Sequence, residues 1–383
     1  MLLIIAVVGV LGLLGLYVLA LYVARRGRFL HRIRRLEDAV LALALGSQPG
    51  DPKAYSRQPQ PRDRAIPALD ELACASVSGL PRGAVASLLG EQLRSNFRRG
   101  VRRTPVLLIQ RSPPGAGFFS NFLNVLDWLA VADRCCWEPV VDMERAPTLF
   151  NEDVPVGGTT NAWEYYFEQP SGRGVADLTA EDLVITTCGV RRGEFSGAMP
   201  IGDGVSVRAA QSLVQRYIRL ADDVLATADG ILHSGVHADV LGVHVRGTDM
   251  RQGLYPDHPQ TAPPKVYLER TQAAVERDGF RSVFLACDEI ETIHLFQAAF
   301  GAMLLTTDAY RVSALVQTTT DYEWLVRSDR TLHRYQLGRE VLVDAILLSR
   351  CGTLICSQSN VPQAAMYLAR GYQEIDFVPA VSG

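Results

Sequence analysis

The sequence predicts an α/β protein built on two parallel sheets and preceded by one membrane-spanning helix. Three observations carry that expectation. From residue 104 to residue 370, apolar stretches of strand length alternate with stretches of helical period, and such alternation argues for parallel sheets covered on both faces. Polar residues gather where three of those strands end. The first 24 residues carry no charge at all.

A chain of 383 residues, 48% apolar and 21% charged, is long enough for two domains with cores of their own. Its net charge of −3 gives no reason to expect a nucleic-acid partner. The seven cysteines are odd in number, Cys135 and Cys136 are adjacent, and no C-x-x-C pair occurs. That pattern suggests neither a disulfide framework nor a structural zinc site, and fits a reducing compartment. All basic residues except Lys53 and Lys265 are arginine.

Residues 1–24, MLLIIAVVGVLGLLGLYVLALYVA, are long enough to cross a bilayer as a helix. No basic segment precedes the apolar run, as it would in a cleaved signal peptide. RRGRFLHRIRRL follows, with six arginines between 25 and 35, and a positive flank is held on the cytoplasmic side. The folded part is therefore expected in the cytoplasm. Residues 25–100 read as a basic juxtamembrane segment and linker or stalk. Within them 46–64 is rich in Gly, Pro, Ser and Gln, and helix-like stretches fall near 67–77 and 84–97.

The first lobe is expected over 101–230. Strand TPVLLIQ (104–110) leads through the loop RSPPGAG into helix 118–135 and strand PVVDM (139–143). Gly115 and Gly117 open the helix, where free N–H groups and the dipole suit an anion. Residues 205–230 read as one long helix. The second lobe, 231–383, runs as strand 240–246, helix 264–278, strand 282–287, helix 289–300, strand 302–308, helix 339–350, strand 353–357 and helix 361–370.

In GVHVRGTDM, strand alternation puts Val243 and Val245 on one face and His244 and Arg246 on the other. Asp288 and Glu289 follow a second strand, and Ser357, Gln358 and Ser359 a third. Ligands of open parallel sheets bind beyond the strands' carboxyl ends, so the three clusters point to one crevice. Each also has a plainer reading. Arg246 can pair with Asp249, and Asp288, Ser357 and Ser359 can cap helices.

With those residues in view, GVHVRGTDM, VFLACDEIETI and REVLVDAILLSRCGTLICSQSNVPQAA resemble, in order, the three C-terminal motifs of the α1,6-fucosyltransferase and protein O-fucosyltransferase superfamily. GAGFFSNFLNVLDWLAVA is similar to its Gly-rich loop and helix, and the likeness covers roughly 104–375. The resemblance implies a two-lobed GT-B-like fold and a metal-independent, inverting transfer from GDP-fucose or a related nucleotide sugar to a glycan, lipid-linked glycan or protein. No cofactor is implied, since the GDP-sugar is a substrate. Carried over by motif, Arg246 grips the diphosphate, His244 and Asp288 recognise guanine or ribose, and Ser357 and Ser359 add hydroxyl contacts. Gly115, Gly117 and Asn121 close the pocket. A planar guanidinium and helix N-termini suit the charge that builds on a leaving diphosphate, and no D-x-D metal motif occurs.

The sequence also departs from the family. Gly247 stands where the α1,6-enzymes carry a second arginine, and their proposed base falls here near Gly253 and Leu254. Asp249, Asp257 and Glu164 remain candidate bases, with Asp257 favoured. NAWEYYFEQP (161–170) offers rings for stacking on a sugar, with core packing the expected role of Trp163 and Phe167. Two other functions compete. A nicotinamide dehydrogenase would use strand, G-x-G, helix, strand and Asp142, although Ser120 holds the third glycine's place. A catalytically inert scaffold for polysaccharide assembly would keep the fold without the reaction.

Overall fold

The computed structural model describes residues 74–76, 104–111, 117–180, 182–188, 195, 204–247, 260–313, 315 and 328–380. The apolar segment 1–24, Gly115, Asp249 and Asp257 lie outside them. Among the described residues no helix is long and apolar enough to cross a membrane.

In chain order the strands are β1 (Cys74–Ser76), β2 (Val106–Gln110), β3 (Glu138–Val141), β4 (Val184–Cys188), β5 (His237–Val245), β6 (Ser282–Cys287), β7 (Leu304–Leu305), β8 (Cys351–Cys356) and β9 (Glu374–Phe377). The helices are α1 (Phe118–Cys135), α2 (Gly204–Tyr217), α3 (Asp222–Asp229), α4 (Pro264–Asp278), α5 (Ile290–Phe300), α6 (His333–Arg350) and α7 (Asn360–Leu368). One sheet takes the order β1-β4-β2-β3, the other β7-β6-β5-β8-β9. Two compact units result. One comprises residues 1–108, 131–138 and 179–189, and the other residues 109–130, 139–178 and 190–383. The second unit holds the five-stranded sheet and every site residue discussed below.

All four pairings of the five-stranded sheet are parallel, and β5 lies at its centre. Val243 and Val245 of β5, Val283 and Leu285 of β6 and Ile355 of β8 share one core with Tyr267 and Ala274 of α4 and Phe296 of α5. A strand buried on both faces reads as a continuous apolar run. This is why VLGVHV, SVFLAC and TLIC were legible as strands.

Several boundaries differ from expectation, each for a tertiary reason. The helix expected over 205–230 breaks after Tyr217, because the backbone of 219–221 pairs with an irregular segment instead. Arg219 O accepts the Glu168 N–H and Tyr166 O the Ala221 N–H, both at 2.9 Å, around an antiparallel bridge between Phe167 and Leu220. Helix α6 starts at His333, six residues before its apolar period becomes visible. Its polar first turns are held by tertiary bonds: Glu152 Oε1 accepts the Tyr335 N–H at 2.8 Å, and the Tyr166 hydroxyl donates to Tyr335 O at 3.0 Å. A Cβ on Gly338 would lie 2.3 Å from that hydroxyl, so only glycine fits. The strand expected over 302–308 shrinks to Leu304–Leu305 after a 3-10 turn. Cys74–Ser76, within a stretch expected as helix, is a strand paired with β4. Strands β4 and β9 were not anticipated.

Candidate functional site

The carboxyl ends of β5, β6 and β8 lie side by side. His244 is level with Ala286 of β6 and Cys356 of β8, and Val245 with Cys287. The residues that continue these strands therefore meet, and the expected polar clusters do come together at one end of the sheet.

Arg246 and Asp288 bind each other. Arg246 Nη1 donates to Asp288 Oδ2 and the Gly247 N–H to Asp288 Oδ1, both at 2.9 Å. The two side chains are 30% and 28% exposed, so the pair lies at the edge of solvent and not in the core. Asp288 does not serve as the N-cap of α5; that position belongs to Glu289. The corner is stitched from the far side by the chain after β7, where Asp288 O accepts the Val312 N–H at 3.0 Å and Val312 O the Ile290 N–H at 3.1 Å.

Glu289 explains the departure at Gly247. Its side chain is 1% exposed and packs so closely that a Cβ at 247 would lie 2.3 Å from its Cδ. Thr292 Oγ1 donates to Glu289 Oε2 at 3.2 Å. A buried carboxylate thus fills the room that a side chain after Arg246 would need.

Beside this pair lies a set of buried polar atoms with unmet hydrogen bonds. Among the described residues, His244 Nδ1, Ser357 Oγ, Ser359 Oγ and Thr261 Oγ1 have no hydrogen-bond partner. Native proteins pair nearly all such atoms, so a group of them at strand ends is the signature of a ligand site. Burial pushes the His244 pKa down to about 4, with nearby Asp288 pulling it up and Arg246 pushing it down, so the ring is neutral at physiological pH. Burial pushes the Tyr267 phenol up, opposed by Ser357. Ser359 is the N-cap of α7 in extended conformation, yet its hydroxyl makes no capping bond. The N–H groups of Asn360 and Val361 open α7, Pro362 having none, and with the Ser359 hydroxyl they stand at a helix start of the kind that suits an anion.

Thr261, Tyr267 and Asp344 were not picked out from the sequence. Asp344, in the middle of α6, accepts the Thr307 hydroxyl at 2.6 Å, and burial pushes its carboxyl up to about 7. Arg311 Nη2 donates to the same Thr307 oxygen at 3.3 Å. A signal for Asp344 was present: an acid inside the apolar run VLVDAILL has to be buried.

Gly117 immediately precedes α1, its carbonyl accepting the N–H groups of Ser120 and Asn121. Asn121 is buried, and Arg111 Nη1 donates to its Oδ1 at 2.9 Å and to Ser120 Oγ at 3.1 Å. Glu164 is committed to its own turn, accepting from Thr159 Oγ1 at 2.6 Å and Gln169 Nε2 at 2.7 Å. The rings of 161–170 are core: Trp163, Tyr165, Tyr166 and Phe167 are all buried, and Trp163 stacks on Phe167 with centroids 4.3 Å apart. They leave no face for a sugar. Among the described residues no group of His, Cys, Asp or Glu has the arrangement of a metal site.

No family model and no curated protein matches the chain. Solved structures do. The NodZ alpha-1,6-fucosyltransferase co-crystallized with GDP aligns at 16% identity over 70% of this chain and 93% of that one, with a TM-score of 0.43. Fucosyltransferase NodZ from Bradyrhizobium aligns at 16% over 70% and 94%, TM-score 0.42, and POFUT1 in complex with GDP-fucose at 12% over 75% and 79%, TM-score 0.33. These are what the chain is similar to. At such scores the likeness speaks to neither ligand nor reaction, and the functional reading is built on the residues.

Proposed function

We propose that the chain is a glycosyltransferase of the fucosyltransferase superfamily with a GT-B-like architecture, taking a GDP-sugar, GDP-fucose by motif, and transferring its sugar with inversion and without a metal. One observation carries this reading. Neutral His244, Ser357 and Ser359 are buried with unmet hydrogen bonds at the aligned strand ends that also carry Arg246 and lead into α7. Such a set offers hydroxyl and imidazole donors, a guanidinium and helix N–H groups to one ligand, as a nucleoside diphosphate requires.

In this reading the diphosphate lies against Arg246, Ser357, Ser359 and the start of α7. Gly115, Gly117 and Asn121 complete the donor-binding set from the Gly-rich loop. Charge developing on the leaving diphosphate meets groups already in place, so little reorganisation accompanies bond breaking. Asp288 holds Arg246 at the correct angle. Its carboxylate, with His244 beside it, is the acceptor group of the site and matches the paired N–H donors on the guanine edge. The acceptor hydroxyl gives its proton to Asp257 or Asp249. Glu164 is a poor base because its oxygens are already occupied. The acceptor is a glycan, a lipid-linked glycan or a protein. The charge-free residues 1–24 and the arginines behind them hold the enzyme to the cytoplasmic side of a membrane.

A specific observation counts against the dinucleotide alternative. Asp142, which would bind a ribose, is fully buried and spends its oxygens on Gln110 Nε2 and on the N–H groups of Glu144 and Arg145. Thermal shift and calorimetric titration with GDP, ADP, UDP and NAD test the proposal. GDP alone should stabilise strongly, because buried acceptors reject ligands without matching donors. Equal affinities for the nucleotides, or a shift with NAD and none with GDP, defeat it.

A further inference from the structure

Phe195 is pinned between two helices of the larger unit. Its N–H donates to Asp127 Oδ1 of α1 at 2.9 Å, and its carbonyl accepts Gln363 Nε2 of α7 at 2.7 Å. The same Nε2 reaches the Tyr367 hydroxyl at 2.8 Å, and the Phe195 and Tyr367 rings meet edge-to-face with centroids 5.8 Å apart. Asp127, Phe195, Gln363 and Tyr367 are each at most 2% exposed.

We infer that Gln363, with Asp127, is a positioning residue for the donor site: together they lash the chain at Phe195 to α1 and α7 and so fix where α7 begins. The inference rests on the reading above, which seats the diphosphate at that helix start. Around Gln363 the helix is lined by Ala364, Ala365 and Met366, small or pliable side chains that specify axial position poorly. An amide buried among them carries a desolvation penalty that an aliphatic side chain would avoid, and what it contributes in return is directional bonding. The Gln363 N–H donates to Ser359 O at 3.2 Å, so the amide stands one turn, about 6 Å, from the N-cap. Any slip of α7 at Gln363 is passed directly to Ser359 Oγ and the first N–H groups. A second tie, Gln211 Nε2 to Met366 O at 2.9 Å, acts further along the helix and away from its start.

Four variants of the full chain test this: Gln363→Leu, Gln363→Met, Asp127→Ala and Asp127→Asn, each examined by thermal melting and by GDP calorimetry below its melting point. The first three should weaken GDP binding about tenfold while remaining folded at the titration temperature. Asp127→Asn keeps an oxygen for the Phe195 N–H and should restore near-parental affinity. Gln363→Met preserves chain length, so it answers the question if the leucine variant does not fold. Lower melting temperatures with unchanged GDP affinity would reduce these residues to packing and overturn the inference. Absence of GDP binding in the unmodified protein would instead overturn the reading on which it rests.

Discussion

Arg246 and Asp288, 42 residues apart in sequence, close a two-point clasp across the ends of neighbouring strands: the guanidinium takes one carboxylate oxygen and the Gly247 N–H takes the other. At about 30% exposure the pair adds little to stability, since solvent screens it. Its value lies in orientation. Arg246→Ala should leave the protein folded and reduce kcat/KM on the order of a hundredfold or more, as loss of a preorganised donor does. Arg246→Lys should serve poorly for want of a planar fork, and Asp288→Asn should weaken GDP binding through a misdirected Arg246. Steady-state rates with GDP-fucose decide, and near-parental activity in the alanine variant sinks the assignment.

Gly247 offers a steric test. Adding one methyl brings it within 2.3 Å of the Glu289 carboxyl carbon, and that side chain is too buried to swing away freely. Gly247→Ala should destabilise by about 1–3 kcal/mol, the usual penalty of overpacking. The double variant with Glu289→Ala should recover part of it. Urea midpoints measure both, and a neutral single substitution would show that Glu289 is not fixed against the backbone as described.

Stability against pH provides a third check, with two groups of opposite sign. His244 is pushed down from 6.5 to about 4, so its contribution is complete above pH 6.5 and lost as pH falls toward 4. Asp344 is pushed up from 3.8 to about 7, so its contribution is complete below 3.8 and lost as pH rises toward 7. Between those limits the slopes oppose each other, each reaching at most about 1.4 kcal/mol per pH unit. Relative to the parent, Asp344→Asn should gain stability with rising pH over this window and His244→Gln should lose it. Denaturation midpoints from pH 4.5 to 7 report the difference, and variants that track the parent throughout would remove both residues from this account.

If, as proposed, Arg246 and the start of α7 meet the diphosphate's charge, transfer should persist in excess EDTA. Loss of activity with rescue by Mn²⁺ or Mg²⁺ would require a metal-bound diphosphate.

The orientation of the amino-terminal segment is checked with a reporter at the carboxyl terminus that works only after translocation. It should stay silent. A signal would place the enzyme on the opposite side from the arginine run.

That His244, Arg246, Asp288, Ser357 and Ser359 stand at or just past strand ends was legible because an apolar run that breaks into polar residues marks the end of a buried strand, and parallel strands align their ends. What stayed hidden depended on distant partners. Thr261, ahead of α4, and Tyr267, in its first turn, look ordinary until α4 covers the sheet, and the clasp between Arg246 and Asp288 needs β6 beside β5. The break after Tyr217 could not be foreseen because the competing bonds come from Tyr166 and Glu168. The start of α6 was obscured in the same way, since Glu152, far back in the chain, supplies its cap.

The central place of β5 has a consequence in time. One of its edges waits for β8, where His244 meets Cys356 more than a hundred residues later in the chain. At about 5–20 residues per second, the ribosome leaves roughly 6–22 s between the two. Throughout that interval an apolar strand has a bare edge, the geometry most prone to pairing with the wrong chain. Chains released before Cys351 keep the open edge permanently and lack α7 as well. Nascent protein of this kind is expected to lean on chaperones until β8, which begins at Cys351, has emerged.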